Sequence, residues 1–162
     1  MKLKTTLPLE RAEQIVDVAL RHGRDEGMLP LSVVVLDAGG KVVACKSEDG
    51  SGILRFDIAH GKAWGALGMG MSSRLIRDRL SRRPAFQNAL AAASEGRFIP
   101  VPGGVLIEDA DGHTIGAVGI SGDTSERDEY CAVAAVAAAG LVPEPSEADP
   151  NWRMSSLSDR SD

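Results

Sequence analysis

The chain is poor in aromatic residues, with three Phe, two Trp and one Tyr among 162 residues, so its core has to be built from Ala, Val, Leu and Ile rather than from packed rings. It has only two cysteines, Cys45 and Cys131, far apart and outside any CxxC pattern. That excludes a disulfide framework and leaves two buried thiols in a reducing compartment. Three scattered histidines, His22, His60 and His113, complete no familiar zinc spacing, so no metal site is expected. No apolar run approaches the roughly 18–20 residues of a membrane span. The opening MKLKTTLPLERAEQ turns polar too early for a signal peptide, which makes the cytoplasm the default compartment. A surplus of positive charge is also missing: the formal net charge is -5, which argues against a nucleic-acid partner.

What is present is ordinary for one globular domain: 43% hydrophobic and 25% charged residues, with 18 glycines that call for tight turns or close backbone approaches. Residues 8–22 carry apolar positions at helical spacing (Leu9, Ala12, Val16, Ala19), with Gly23 placed to end the helix. Leu31–Leu36 and Lys41–Lys46 flank Asp37-Ala38-Gly39-Gly40 and form a hairpin, its first strand apolar enough to be covered on both faces. From Asp57 the period turns helical, although Gly61, Gly65, Gly68 and Gly70 interrupt it. Arg74–Leu80 and Ala85–Ala93 predict two more helices. Three strands follow, at about Phe98–Val101, Val105–Glu108 and Thr114–Ser121, and Ser125 then caps a last, Ala-rich helix, with Asp128 placed as in a capping box. Hairpins with segregated helices mean an α+β fold: about five antiparallel strands with helices packed on them. Residues 1–142 form the domain. Residues 143–162, rich in Pro, Ser and Asp, read as a polar tail dispensable for folding.

No nucleophile elbow, P-loop, dinucleotide fingerprint or HExxH motif is present. Three features favour an anion. Lys62 is a lone cation on a small-residue helix, where it either reaches water, pairs with a carboxylate such as Asp128, or holds a ligand's carboxylate. Pro102-Gly103-Gly104 is a turn able to present backbone amides. Ser121-Gly122 leads into a helix N-terminus. The fold is expected to bring all three to one cleft.

Four blocks in order, VVVLDAGGKVVA, DGSG…DIAHGKAWGA, PGGVLI and GAVGISGDTSERDE, resemble the signatures of the GlcG/HbpS haem-binding family, which includes the C-terminal domain of PduO-type cobalamin adenosyltransferases. The resemblance spans residues 8–141. It implies a GlcG/HbpS-like α+β domain with a five-stranded antiparallel sheet, and a homo-oligomer from dimer to octamer. By motif, the characteristic positions include Asp37, Asp57, Lys62, Pro102, Gly103, Gly104, Ser121, Gly122 and Asp128. The hairpin exit departs from the pattern, reading Ser47-Glu48-Asp49 where Arg-Met-Asp is common. The family shares no single axial ligand, so the motifs transfer none.

Haem needs an axial donor, an apolar slot and a cation for its propionates. His60 suits the first need best, because Gly61 and Gly65 open room beside it, and His22 is the second candidate. Phe56, Trp64, Phe86 and Phe98 are the available rings. Three functions stay open. The first is a haem- or tetrapyrrole-binding accessory protein with haem as cofactor. The second is an enzyme of small-molecule catabolism acting on an organic acid, in which Lys62 binds a carboxylate, the Gly103 and Gly104 amides polarise a carbonyl, and Asp128 or Glu126 moves a proton. The third is an oligomeric structural or regulatory subunit without its own ligand.

Overall fold

The structure, a computed structural model, describes residue 1 and residues 4–157. Helix α1 (Leu9–Asp25) is followed by the hairpin strands β1 (Ser32–Asp37) and β2 (Val42–Ser47). Three helices come next: α2 (Leu54–Met69), α3 (Ser73–Leu80) and α4 (Pro84–Ala93). Strands β3 (Gly104–Glu108) and β4 (Thr114–Ser121), helix α5 (Ser125–Ala138), strand β5 (Val142–Glu144) and a 3-10 turn at Trp152–Met154 complete the chain. The five strands make one antiparallel sheet in the order β2-β1-β4-β3-β5. No described helix is long and apolar enough to cross a membrane.

The alternation of strand residues divides the core in two. On one face Val33, Val35, Val105, Ile107, Val118 and Ile120 pack against α1 and α5. On the other, Val34, Leu36, Leu106 and Ala117 meet Ala59, Ala63 and Ala66 of α2. Every apolar residue of β1 is buried, each such side chain contributing about 1.5–3 kcal/mol through its removal from water. The small α2 face has a clear cause at Gly119. A Cβ there would collide with the Ala59 carbonyl, so glycine lets the helix backbone rest on the strand. Gly61 and Gly65 do the same toward residues 97–99.

Several expected boundaries shift. Gly23 does not end α1; it is buried inside the helix against Leu31, and the chain runs on to Asp25. Helix α2 starts at Leu54, three residues before Asp57. The cap of α5 is Thr124, whose hydroxyl accepts from the Arg127 amide, not Ser125. Cys131 is buried as expected, but Cys45 is exposed on the edge strand β2. Phe98–Val101 is irregular chain rather than a strand, and the fifth strand is β5, pairing with β3.

The expected boundary at residues 142 and 143 falls inside β5. Beyond it the chain wraps α3 and α5. Glu144 accepts hydrogen bonds from the Ser72 amide and hydroxyl, Arg74 donates to the Glu147 carbonyl, and Trp152 is buried with its ring stacked on Tyr130 at 3.8 Å. The last five residues of the expected tail, 158–162, lie outside the described residues.

Candidate functional site

Lys62 and Gly103, both expected to attract an anion, meet Asp128 instead, and the three satisfy one another. Lys62 points from α2 into the protein, 2% exposed, where its ammonium donates to Asp128 Oδ2 and to the Ile120 carbonyl, both at 2.8 Å. Asp128, 1% exposed, also accepts from the Asp123 amide at 3.1 Å. Burial pushes its carboxyl above the ordinary value, against the pull of the Lys62 charge. Gly103, at φ 111°, closes the cluster, since a Cβ there would sit 2.9 Å from the ammonium. The Gly104 amide donates to Ser73 Oγ at 2.7 Å, and Pro102 has no N–H to offer. Of the three possibilities for Lys62, pairing with Asp128 is the one realised.

The other expected residues lie around or away from this cluster. Ser121 is buried and accepts from Arg55 Nη1 at 3.3 Å, and Gly122 packs on Pro30 and Leu31. Glu126 binds Arg77 and the Ser155 hydroxyl. Asp37 serves the hairpin turn, its Oδ1 accepting from the Gly39 and Lys41 amides. Asp57 is exposed in the first turn of α2. His22 is engaged by Tyr130, whose hydroxyl lies 3.3 Å from His22 Nδ1 with the rings edge-on.

Helix α2 presents a different chemistry on its outer side. Phe56, His60 and Trp64 recur every four residues and so share one face. The Phe56 and His60 rings stack at 6.2 Å, and the Arg97 guanidinium lies 4.4 Å over the Trp64 ring. Trp64 also walls a cleft of about 160 Å³ with Gly65, Met69, Leu90 and Phe98. Burial, followed by the Arg97 charge, lowers the His60 pKa below its ordinary 6.5, so the imidazole is neutral at neutral pH, the form that binds metals. The i, i+4 spacing of the rings is a sequence signal that could have found the stripe, although a helix begun at Asp57 leaves Phe56 out. Arg97 carries no such signal, because it arrives from an irregular segment more than thirty residues further along.

One more acidic group on α5, which the sequence offers only as a first-turn carboxylate, is buried by the fold. Glu129 is completely buried, accepting from the Asp149 amide through Oε1. Its Oε2 is the one buried side-chain oxygen without a hydrogen bond among the described residues, with Arg74 Nε 3.4 Å away. Burial raises this carboxyl to about 7, against Arg74 and Arg77. A folded-state value above the unfolded 4.5 means the native state holds the proton more tightly, so stability falls as pH rises from 4.5 to 7. At about 1.4 kcal/mol per unit the fall is about 3 kcal/mol. Denaturant unfolding at pH 5 and pH 8 should show this loss in the wild type and its absence in Glu129→Gln. Equal pH dependence in both proteins counts against it.

The model of the family described as haem degrading protein HbpS-like matches residues 7–137. No curated protein sequence matches the chain. Among solved structures, PduOC in complex with haem superposes with a TM-score of 0.75 at 25% identity, over 83% of this chain and 96% of that one. The Klebsiella pneumoniae protein ORFY gives 0.76 at 24%, covering 86% and 94%. A double mutant of Streptomyces reticuli HbpS gives 0.71 at 25%, covering 85% and 90%.

Proposed function

Since the chain belongs to the HbpS-like haem-degrading family, matched over residues 7–137, we propose that it binds haem on the outer face of α2, with His60 as axial ligand. The observation that carries this reading is the Phe56–His60–Trp64 stripe with Arg97 beside it. The donor set fits the group: a neutral, half-buried imidazole for the iron, ring faces for the macrocycle, and a guanidinium for a propionate. The cleft beside Trp64, about 160 Å³, is below the roughly 300–1,000 Å³ of a full ligand pocket, so the exposed ring face of α2 would have to supply the rest of the contact. When bound, haem supplies iron-centred redox chemistry. His60 would hold the iron, Phe56 and Trp64 would orient the ring, and Arg97 would pair with a carboxylate.

The PduOC structure contains haem, which supports the same ligand class here. The organic-acid enzyme built on Lys62 has less support, because Asp128 and the Ile120 carbonyl already take the ammonium. A homo-oligomer is part of the proposal: Ile53 is 95% and Leu54 65% exposed at the start of α2, apolar surface that a second copy would cover. A lone 17 kDa species in sedimentation at micromolar concentration would remove that part.

Haemin titrated into the protein should produce a Soret band that saturates at one equivalent per chain. His60→Ala should weaken binding at least tenfold while leaving the melting temperature unchanged, since the side chain makes no hydrogen bond among the described residues. Release of haem on acidification should have its midpoint below pH 6.5, because the proton competes for an imidazole whose pKa is lowered. An unaltered Soret band in His60→Ala transfers the axial role elsewhere and refutes the assignment.

A further inference from the structure

We propose that a small monocarboxylate binds in the cavity between the first turns of α2 and α5, held by Arg55 and Arg127. This site goes beyond the haem reading and shares none of its residues. The cavity measures about 430 Å³ and is lined by Gly27, Leu29, Arg55, Asp123, Arg127, Ser156 and Leu157, a size within the range for small-molecule sites. Its walls come from four separate parts of the chain, so it is a product of the fold rather than of one motif.

The two guanidiniums are partly committed, in a way that positions them. Arg55 gives one N–H to Ser121 Oγ, out of the five a guanidinium carries. Arg127 gives Nε to the Ser155 carbonyl at 3.0 Å. The acid in the wall, Asp123, is 7% exposed at its side chain and is committed to backbone donors, accepting from the amides of Leu29 and Thr124. Its Oδ1 also lies 3.8 Å from Arg127 Nε.

Charge and shape together select the ligand class. Among the described lining residues, two cations and one anion give a net charge of about +1, which matches one carboxylate and undercompensates a phosphate dianion. Guanidinium forks take planar carboxylates in bidentate fashion. Leu29 and Leu157, both about half exposed, offer apolar wall to a short hydrocarbon body, so an acid of a few carbons suits the site better than formate. The anion-attracting character expected near Ser121-Gly122 is thus supplied by Arg55 and Arg127, while Lys62 is spent on Asp128.

The test titrates the full chain with butyrate, then with inorganic phosphate, and follows amide chemical shifts. Saturable shifts centred on residues 27–29, 55 and 121–127 are expected with butyrate, with phosphate at least tenfold weaker. Arg55→Gln should weaken butyrate at least tenfold and Arg55→Lys by less, since lysine keeps the charge and loses the fork. His60→Ala should leave butyrate binding intact, so this site and the haem site can fail separately. Lack of saturation, binding undiminished in Arg55→Gln, or phosphate binding as tightly as butyrate would each overturn the proposal. Should Arg55→Gln not fold, shifts of the wild type that map away from these residues overturn it equally.

Discussion

Replacing Lys62 with Met is expected to destabilise the protein by about 3–5 kcal/mol, because it leaves the Asp128 carboxyl buried without its partner. At 1% exposure Asp128 has no route to water, and its remaining hydrogen bond comes from the Asp123 amide. The Ile120 carbonyl loses a donor in the same step. For a chain of this size the melting temperature should fall by roughly 10 °C. Asp128 should then take up a proton on folding, so the loss is smaller at pH 4 than at pH 8. The double variant Lys62→Met with Asp128→Leu should recover much of the stability, since a buried ion pair replaced by apolar groups of similar volume is often neutral. A melting temperature unchanged in the single variant would mean that the ammonium points to solvent, contrary to the geometry described above.

Removing residues 142–162 should be the most damaging change of all, lowering the melting temperature by more than roughly 10 °C. Three separate losses add. Strand β5 no longer covers the edge of β3, exposing its ladder. Glu144 no longer satisfies the Ser72 amide at the start of α3. Trp152 leaves Tyr130 and the core below it. Trp152→Ala alone should cost about 3 kcal/mol, with His22 and Tyr130 becoming solvent-accessible. Thermal melts of the truncation and the point variant separate the strand from the ring. A truncated protein melting with the full chain would show that residues after 141 only decorate the surface.

The outline of this protein was legible in local patterns. Alternation in LSVVVL, the Asp37-Gly40 turn and the helical spacing of Leu9–Ala19 are properties of neighbouring residues, and the hairpin and α1 follow from them. The Phe56–His60–Trp64 stripe also depends only on a period of 3.6, but a helix begun at Asp57 leaves its first ring outside the element. The four signature blocks added the family and the five-stranded sheet. Where local reading failed, the deciding partner was distant. Nothing near Phe98 reveals that β3 takes Val142–Glu144 rather than residues 98–101 as its neighbour. Composition made residues 143–157 look like a tail because burial there rests on Pro143 and Trp152, too few apolar residues to set a period.

The candidate site divides along the same line. Lys62, Asp128 and Gly103 could each be picked out as odd residues in their own segments, and the possibility of a Lys62–Asp128 pair could be named. Whether the lysine faced solvent, a ligand or its partner depended on α2 lying so close on β4 that no Cβ fits at Gly119, a contact between residues sixty positions apart. Arg55, Arg97, Arg127 and Glu129 are unremarkable in the sequence. They acquire their roles from the dielectric and the neighbours that the packed sheet, helices and C-terminal segment place around them. Sequence thus determined α1, the hairpin and most other elements through interactions that reach a few residues, and the family through its motifs. Tertiary structure alone decided which charges are spent inside the protein and which remain for a ligand, because desolvation and pairing are set by whatever the fold brings within a few ångströms.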